Sequence, residues 1–251
     1  AGRELMATAG WLLASTSRIR IGSGIASVYA RDASTARMGA HTLSELSGGR
    51  FDLTLGVSIR WLVEQRGQVW EKPLAKAASY LDTYHATVVD DPPPPAAPTP
   101  LYFAAHGPRI IDAVKDRVDG IMTINVPPEH TADVRAAIGP DKRLIMVKTV
   151  LPITDPDAAR ARAREVINVY LRARQYWTLW PKYGYEEATD NVDGGSDRLV
   201  DMLVAWGDTE RIASQIQDYY NAGASDVVLR IPDDPAESIR WPLLEELAPT
   251  S

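Results

Sequence analysis

HTLSELSGGRFDLTLGVSIRWLVEQRGQVWEKPL (41–74) holds one complete helix-to-strand joint. Ser47-Gly48-Gly49 ends a periodic run, and paired glycines there read as a helix stop, because glycine accepts the left-handed backbone of a C-cap. Arg50 opens the strand that follows. Phe51, Leu53, Leu55 and Val57 alternate with Asp52, Thr54 and Gly56, which is strand period. Gly56-Val57-Ser58 is a small-residue exit from that strand. It is either an ordinary connecting loop or a ligand loop, since parallel α/β folds bind ligands at the carboxyl ends of their strands.

The same joint recurs on both sides. Residues 1–16 read as the end of an amphipathic helix with Leu5, Ala9, Leu12 and Leu13 on one side. Residues 18–25 read as a strand, and Gly22 and Gly24 mark either a bulge or a tight turn. Ala33 to Leu46 is a helix with Asp32 as N-cap. Leu62, Val63 and Trp70 either cover an opening or pack inward. Pro73 starts a helix that runs to about Tyr84. Residues 90–100 (DDPPPPAAPTP) are polyproline-like, and read best as a stiff surface connection within one domain.

Strands are expected at 101–105, 120–125, 143–151 and 226–231, with helices at 109–117, 129–138, 157–174, 209–221 and 235–247. Residues 175–207 are aromatic and irregular, read as helical pieces that form either a lid or core packing. Strands alternating with helices predict a parallel sheet with right-handed crossovers. An open doubly wound sheet and a barrel both fit, and a closed barrel needs eight strands where this reading finds six.

Composition narrows the function. The chain has 251 residues, the size of one α/β barrel, and a hydrophobic content of 45% supports a substantial core. A net charge of −6 gives little attraction to nucleic acid. The absence of cysteine excludes disulfides and thiolate metal sites, and four isolated histidines argue against a histidine-built metal centre. No apolar run approaches the roughly 18 residues of a membrane span, and Gly2-Arg3-Glu4 does not read as a signal peptide. The expected location is the cytoplasm, and the expected partner is a small-molecule substrate.

TSRIRIGSGIASVYAR (16–31), TLSELSGGRFDLTLGVS (42–58), GQVWEKPLAKAASYLD (67–82), YFAAHGPRIIDAVKDRVDGIM (102–122), VAWGDTERIASQI (204–216) and NAGASDVVL (221–229) occur in an order and spacing that resembles the bacterial luciferase-like monooxygenase superfamily. Within it, the likeness is to oxidoreductases that use coenzyme F420, a deazaflavin. The resemblance implies a (β/α)8 TIM-barrel type fold, here as a single domain over 1–251 that lacks the first two strands and carries an aromatic helical insertion at about 175–207. Exposed edges left by absent strands imply cover by a partner, most simply a homodimer.

The resemblance also implies a cofactor site. A bulge with a non-prolyl cis peptide behind the cofactor ring maps to Gly24-Ile25. The next loop maps to Gly56-Val57-Ser58. There the family often continues Ser-His where this chain has Ser58-Ile59-Arg60, which removes a titratable contact and leaves Arg60 to meet a phosphate or an acidic tail. The phosphate-side loop maps to Ala105-His106-Gly107, where His106 is either a binding residue or an exposed loop histidine. Glu64 and Glu71 near the candidate mouth read as solvated surface, and no catalytic acid or base emerges. The implied reaction is hydride transfer between F420 and an organic substrate. The alternatives are an FMN-dependent monooxygenase and a non-catalytic shortened barrel that serves binding or assembly.

Overall fold

The computed structural model describes residues 3–90, 98–232 and 237–248. Of the stretch 90–100 read as polyproline-like, residues 91–97 lie outside the described residues. The chain divides into two compact units, 1–122 and 123–251.

The first unit begins with α1 (Leu5–Ala14), whose N-cap is Glu4 itself: its carboxylate accepts from Ala7 N at 2.8 Å. Two short strands follow, β1 (Ile21–Gly22) and β2 (Ala26–Ser27). Of the strand expected over 18–25 only Ile21–Gly22 joins the ladder; Ser23-Gly24-Ile25 interrupts it, β2 lies just past the expected end, and of the two readings of the glycines the bulge is present. α2 (Ala33–Leu46) starts on Asp32, which accepts from Thr35 N at 2.9 Å. It stops at Gly48 and Gly49, with φ of 65° and 84°.

β3 (Phe51–Gly56) is the hub of this unit. It pairs in parallel with β1 at Ile21↔Phe51, with β2 at Ala26↔Leu55, and with β4 (Leu101–Ala104) at Leu53↔Leu101. β4 in turn pairs with β5 (Gly120–Ile124) at Tyr102↔Gly120. Helices α3 (Arg60–Gln65), α4 (Pro73–Ala86) and α5 (Pro108–Val114) lie between these strands in sequence. Val63 of α3 is buried and Trp70 is half-buried, stacked on Tyr29 with centroids 5.8 Å apart, while Leu62 borders open space and most of 61–70 is exposed, so the stretch does some of both.

The second unit is built on β6 (Arg143–Leu151). Its amino-terminal part pairs in parallel with β8 (Asp226–Arg230) from Ile145↔Asp226 to Thr149↔Arg230. Its end pairs with β7 (Val204–Trp206) from Thr149↔Val204 to Leu151↔Trp206. Around it in sequence are α6 (Pro128–Ile138), α7 (Pro156–Leu171), α8 (Arg174–Trp177), α9 (Glu187–Asp190), α10 (Asp197–Leu203), α11 (Thr209–Asn221) and α12 (Glu237–Leu247).

β7 corrects the sequence reading. Residues 204–206 were expected to be helical with the aromatic region, but Val204, Ala205 and Trp206 are fully buried and extended beside β6. A three-residue strand is too short to show a period of two. The rest of that region is short helical pieces joined by turns; its Tyr176, Trp177 and Trp180 are core, while residues 186–189 and 191–194 are exposed. Trp180 is fully buried, stacks on Tyr176 at 5.0 Å and meets Trp177 edge-on at 4.8 Å. Both indoles are satisfied, by Asn125 O at 2.8 Å and Leu171 O at 2.7 Å.

Candidate functional site

The bulge between β1 and β2 forms because a side chain takes over the ladder. Ser23 N still donates to Asp52 O at 3.1 Å. Its hydroxyl then accepts from Thr54 N at 2.6 Å and donates to Thr54 O at 2.9 Å. Both residues are buried, so the hydroxyl satisfies backbone groups that water cannot reach. The chain is thereby free to swing out at Gly24-Ile25, whose peptide bond is cis.

A cleft of about 780 Å³ opens beside this bulge, entirely within the first unit. Its wall includes Leu5, Ala9 and Leu12 of α1, Phe51, Leu53 and Leu55 of β3, Gly24, Ile25 and Ser58. A Cβ added to Gly24 would meet nothing within 4 Å, so this backbone is bare toward the open space. Ser58 is held at φ 67°, a left-handed conformation costly for a residue with a Cβ.

Two groups at the cleft, Glu4 and Tyr80, are held in one protonation state. Glu4 is held down to about 2, first by the Ala7 backbone N–H and then by Arg31, whose guanidinium donates to it at 2.5 Å. Tyr80 is pushed well above the usual phenol range by burial, and its hydroxyl donates to the Arg31 and Asp32 carbonyls at 3.1 and 3.3 Å. Neither is poised to exchange a proton near neutral pH. Arg66 also lines the cleft.

The structure sorts the sequence-expected residues. Gly24, Ile25 and Ser58 stand together on the cleft wall. Gly56 is buried, and a Cβ there would lie 3.0 Å from the Ile25 Cγ2 and 3.2 Å from the Ala104 Cβ. Val57 is half-buried beside it. Arg60 is exposed on α3 and pairs with Glu64 at 2.8 Å. Glu71 pairs with Lys76 at 2.6 Å, so both acidic residues are surface groups, as read from the sequence. Ala105 is buried at the end of β4, its N–H on Met122 O at 3.2 Å, and His106 and Gly107 are half-buried before α5. None of Gly56, Val57, Arg60, Ala105, His106 and Gly107 lines the cleft described above.

Sequence reasoning missed Ser23, the bulge closer, together with Arg31, Arg66 and Tyr80. A serine between two glycines gives no period and no motif to single it out. Among the described residues no group of His, Asp or Glu is arranged to hold a metal ion, and no helix is long and apolar enough to cross a membrane.

Known proteins carry the same plan. The chain is 25% identical to a putative coenzyme F420-dependent oxidoreductase of Mycobacterium tuberculosis, over 91% of this chain and 83% of that one. It is 22% identical to the 5,10-methylenetetrahydromethanopterin reductase of Methanolobus tindarius, over 93% and 83%. In structure it matches an F420-dependent secondary alcohol dehydrogenase solved with an F420–acetone adduct, with a TM-score of 0.75 at 15% identity, over 99% of this chain and 85% of that one. That likeness shows the fold: the α/β architecture of the TIM-barrel type. Seven parallel strands stand among the described residues, counting β1 and β2 as one: the six read from the sequence and β7. The luciferase-like monooxygenase profile matches residues 1–226, and the chain belongs to that family.

Proposed function

We propose that this chain is an oxidoreductase that transfers a hydride between coenzyme F420 and a small organic substrate. The observation that carries the reading is the cleft beside the Gly24-Ile25 bulge. Its volume lies within the roughly 300–1,000 Å³ of ordinary ligand sites, and it combines a bare backbone wall with an apolar one. A flat ring system suits such a wall. The F420-linked relatives support the choice of cofactor.

On this reading Gly24, Ile25 and Ser58 hold the ring side. Val57, Arg60 and the Ala105-His106-Gly107 loop are proposed contacts for the phosphate side. A bound deazaflavin supplies hydride chemistry that no amino acid side chain offers. The protein's part is binding, orientation and exclusion of water. The locked states of Glu4 and Tyr80 fit this division, since neither is placed to compete for protons. The proposal includes a cytoplasmic location and a homodimer, the latter checked by light scattering on the purified protein.

Fluorescence titration of the purified chain with F420, and separately with FMN, tests the reading. Saturable micromolar binding of F420 with FMN much weaker is the expected result. The reverse preference replaces the reading with an FMN-dependent monooxygenase. Binding of neither overturns it in favour of a binding or assembly role.

A further inference from the structure

We propose that Gly56 is a positioning residue for the cofactor site: its missing side chain sets the depth at which Ile25 stands in the cleft. The proposal rests on the F420 reading and deepens it by assigning a role to a residue that lines no part of the cleft itself.

The geometry is local to the first unit. Gly56 closes β3, and its partner across the ladder is Ser27 of β2, just past the bulge. A Cβ built on Gly56 would stand 3.0 Å from the Ile25 Cγ2 and 3.2 Å from the Ala104 Cβ. Both are closer than ordinary carbon contacts of about 3.5–4.0 Å. The two neighbours differ in what they can yield. The Ala104 Cβ is bonded directly to the backbone at the end of β4 and has no torsion to turn away. Ile25 is 38% exposed and faces the cleft, so open space lies on its far side.

A methyl at 56 therefore drives Ile25 outward. Ile25 is β-branched, so its Cγ2 retreats only if χ1 leaves its favoured well or the bulge backbone moves. Either motion carries the rest of the side chain into the space against which a ring would lie. The glycine thus fixes a wall of the site from beneath without touching what binds there. This differs from the structural role of Gly48 and Gly49, where positive φ is the requirement; Gly56 is needed for the space it leaves.

The test combines binding with a spectroscopic readout on ligand-free protein. Isoleucine methyl groups are labelled with carbon-13, and the Ile25 signals are assigned by their loss in Ile25→Leu, which deletes the β-branch and its Cγ2. Gly56→Ala is expected to shift the Ile25 methyl resonances and to weaken F420 binding about tenfold, the scale of one misplaced methyl in an apolar pocket. Adding Ile25→Leu to Gly56→Ala is expected to recover most of that loss, and adding Ala104→Gly is not. Unmoved Ile25 resonances in Gly56→Ala overturn the proposal, as does recovery through Ala104→Gly alone. If Gly56→Ala fails to fold, a folded Gly56→Ala/Ile25→Leu protein supports the proposal, and equal failure of both overturns it. Should the wild-type chain bind no F420, the cofactor reading falls, while the ligand-free resonances still decide whether Gly56 positions Ile25.

Discussion

The Ser23 hydroxyl replaces a stretch of β-ladder with two side-chain hydrogen bonds, both to Thr54. Ser23→Ala leaves the buried Thr54 N–H and carbonyl without that partner. The expected cost is about 1–3 kcal/mol, the range for orphaning a buried polar group. Thermal unfolding should show it as a drop of roughly 2–4 °C per kcal/mol for a chain of this size. An unchanged midpoint would mean the bulge is held by its backbone alone.

Lys148 poses the opposite case, a cation brought indoors. It lies in β6 between Met146 and Val150 on the helix-covered face, 3% exposed, with its Nζ donating to Met202 O at 2.6 Å and to the Tyr219 hydroxyl at 3.1 Å. Burial pulls it down from the ordinary lysine range to about 7, against a small upward pull from Asp218. Between about pH 7 and the ordinary lysine value near 10.4 the unfolded chain holds a proton that the folded chain has released. Stability therefore rises with pH across that window, by at most about 1.4 kcal/mol per pH unit. Below about 7 both states are protonated and the folded state bears the full cost of burial. Near pH 10 the unfolded tyrosines start to ionise while buried Tyr176 and Tyr219, held well above their usual range, do not, so the rise ends there. Urea unfolding at pH 6, 8 and 9.5 should show the rise in the wild type and a flatter profile in Lys148→Met. Parallel profiles would remove Lys148 as the source.

At the scale of elements, each unit is clasped by one arginine. Arg50, the residue that opens β3, donates to Leu13 O at 2.9 Å, Thr16 O at 3.0 Å, Ile19 O at 2.9 Å and Ser47 O at 3.0 Å. It binds the orphan carbonyls at the ends of α1 and α2 to the start of β1, where a positive charge also suits the helix dipoles. Arg135 repeats the device in the second unit. It donates to Gly139 O at 2.7 Å, Lys142 O at 2.8 Å, Gly223 O at 2.9 Å and the Ser225 hydroxyl at 2.9 Å, joining the ends of α6 and α11 to the strands that follow. Neither role can be filled by lysine, which lacks the planar fork. Arg50→Lys and Arg135→Lys are each expected to cost about 2 kcal/mol or more in urea unfolding, as charged hydrogen bonds to several carbonyls are lost together. A cost near zero for both would show that the helix ends are held by packing alone.

These clasps mark the limit of what the sequence disclosed. Gly48-Gly49 and the alternation of Phe51, Leu53 and Leu55 are local signals, and both stand where they were read. The cis bond at Gly24-Ile25 was an expectation of the family resemblance, and it is present; the glycines by themselves left bulge and turn open. Arg50 was legible only as the residue before a strand, because its acceptors include carbonyls 31 to 37 positions away. Ser23 depends on Thr54, also 31 positions off. The choice between lid and core for the aromatic region turned on where Trp180 finds an acceptor, and Asn125 is 55 residues distant. Long-range pairing of single side chains leaves no period for a sequence to show.

At the scale of the whole molecule, the chain offers two compact units and places the candidate cleft within one of them. That separation makes ligand binding readable by position. A ligand that binds only the folded state stabilises it by about 2.7 kcal/mol at a hundredfold excess over its dissociation constant. Amides that exchange through local opening slow most where the ligand sits, because each opening there must first release it. Hydrogen exchange with and without saturating F420 is expected to show the greatest gain in protection over residues 21–28 and 51–58, which carry the bulge, β3 and its exit loop. Residues 174–203, where Trp177 and Trp180 are already buried against their own unit, should change least. Protection centred on 174–203 instead would move the site into the second unit and strip the Gly24-Ile25 cleft of its role. Protection centred on 101–107, with 21–28 unchanged, would assign the binding to the Ala105-His106-Gly107 loop and leave the cleft to some other occupant. The first pattern alone joins the bulge, the glycine beneath it and the cofactor in one site.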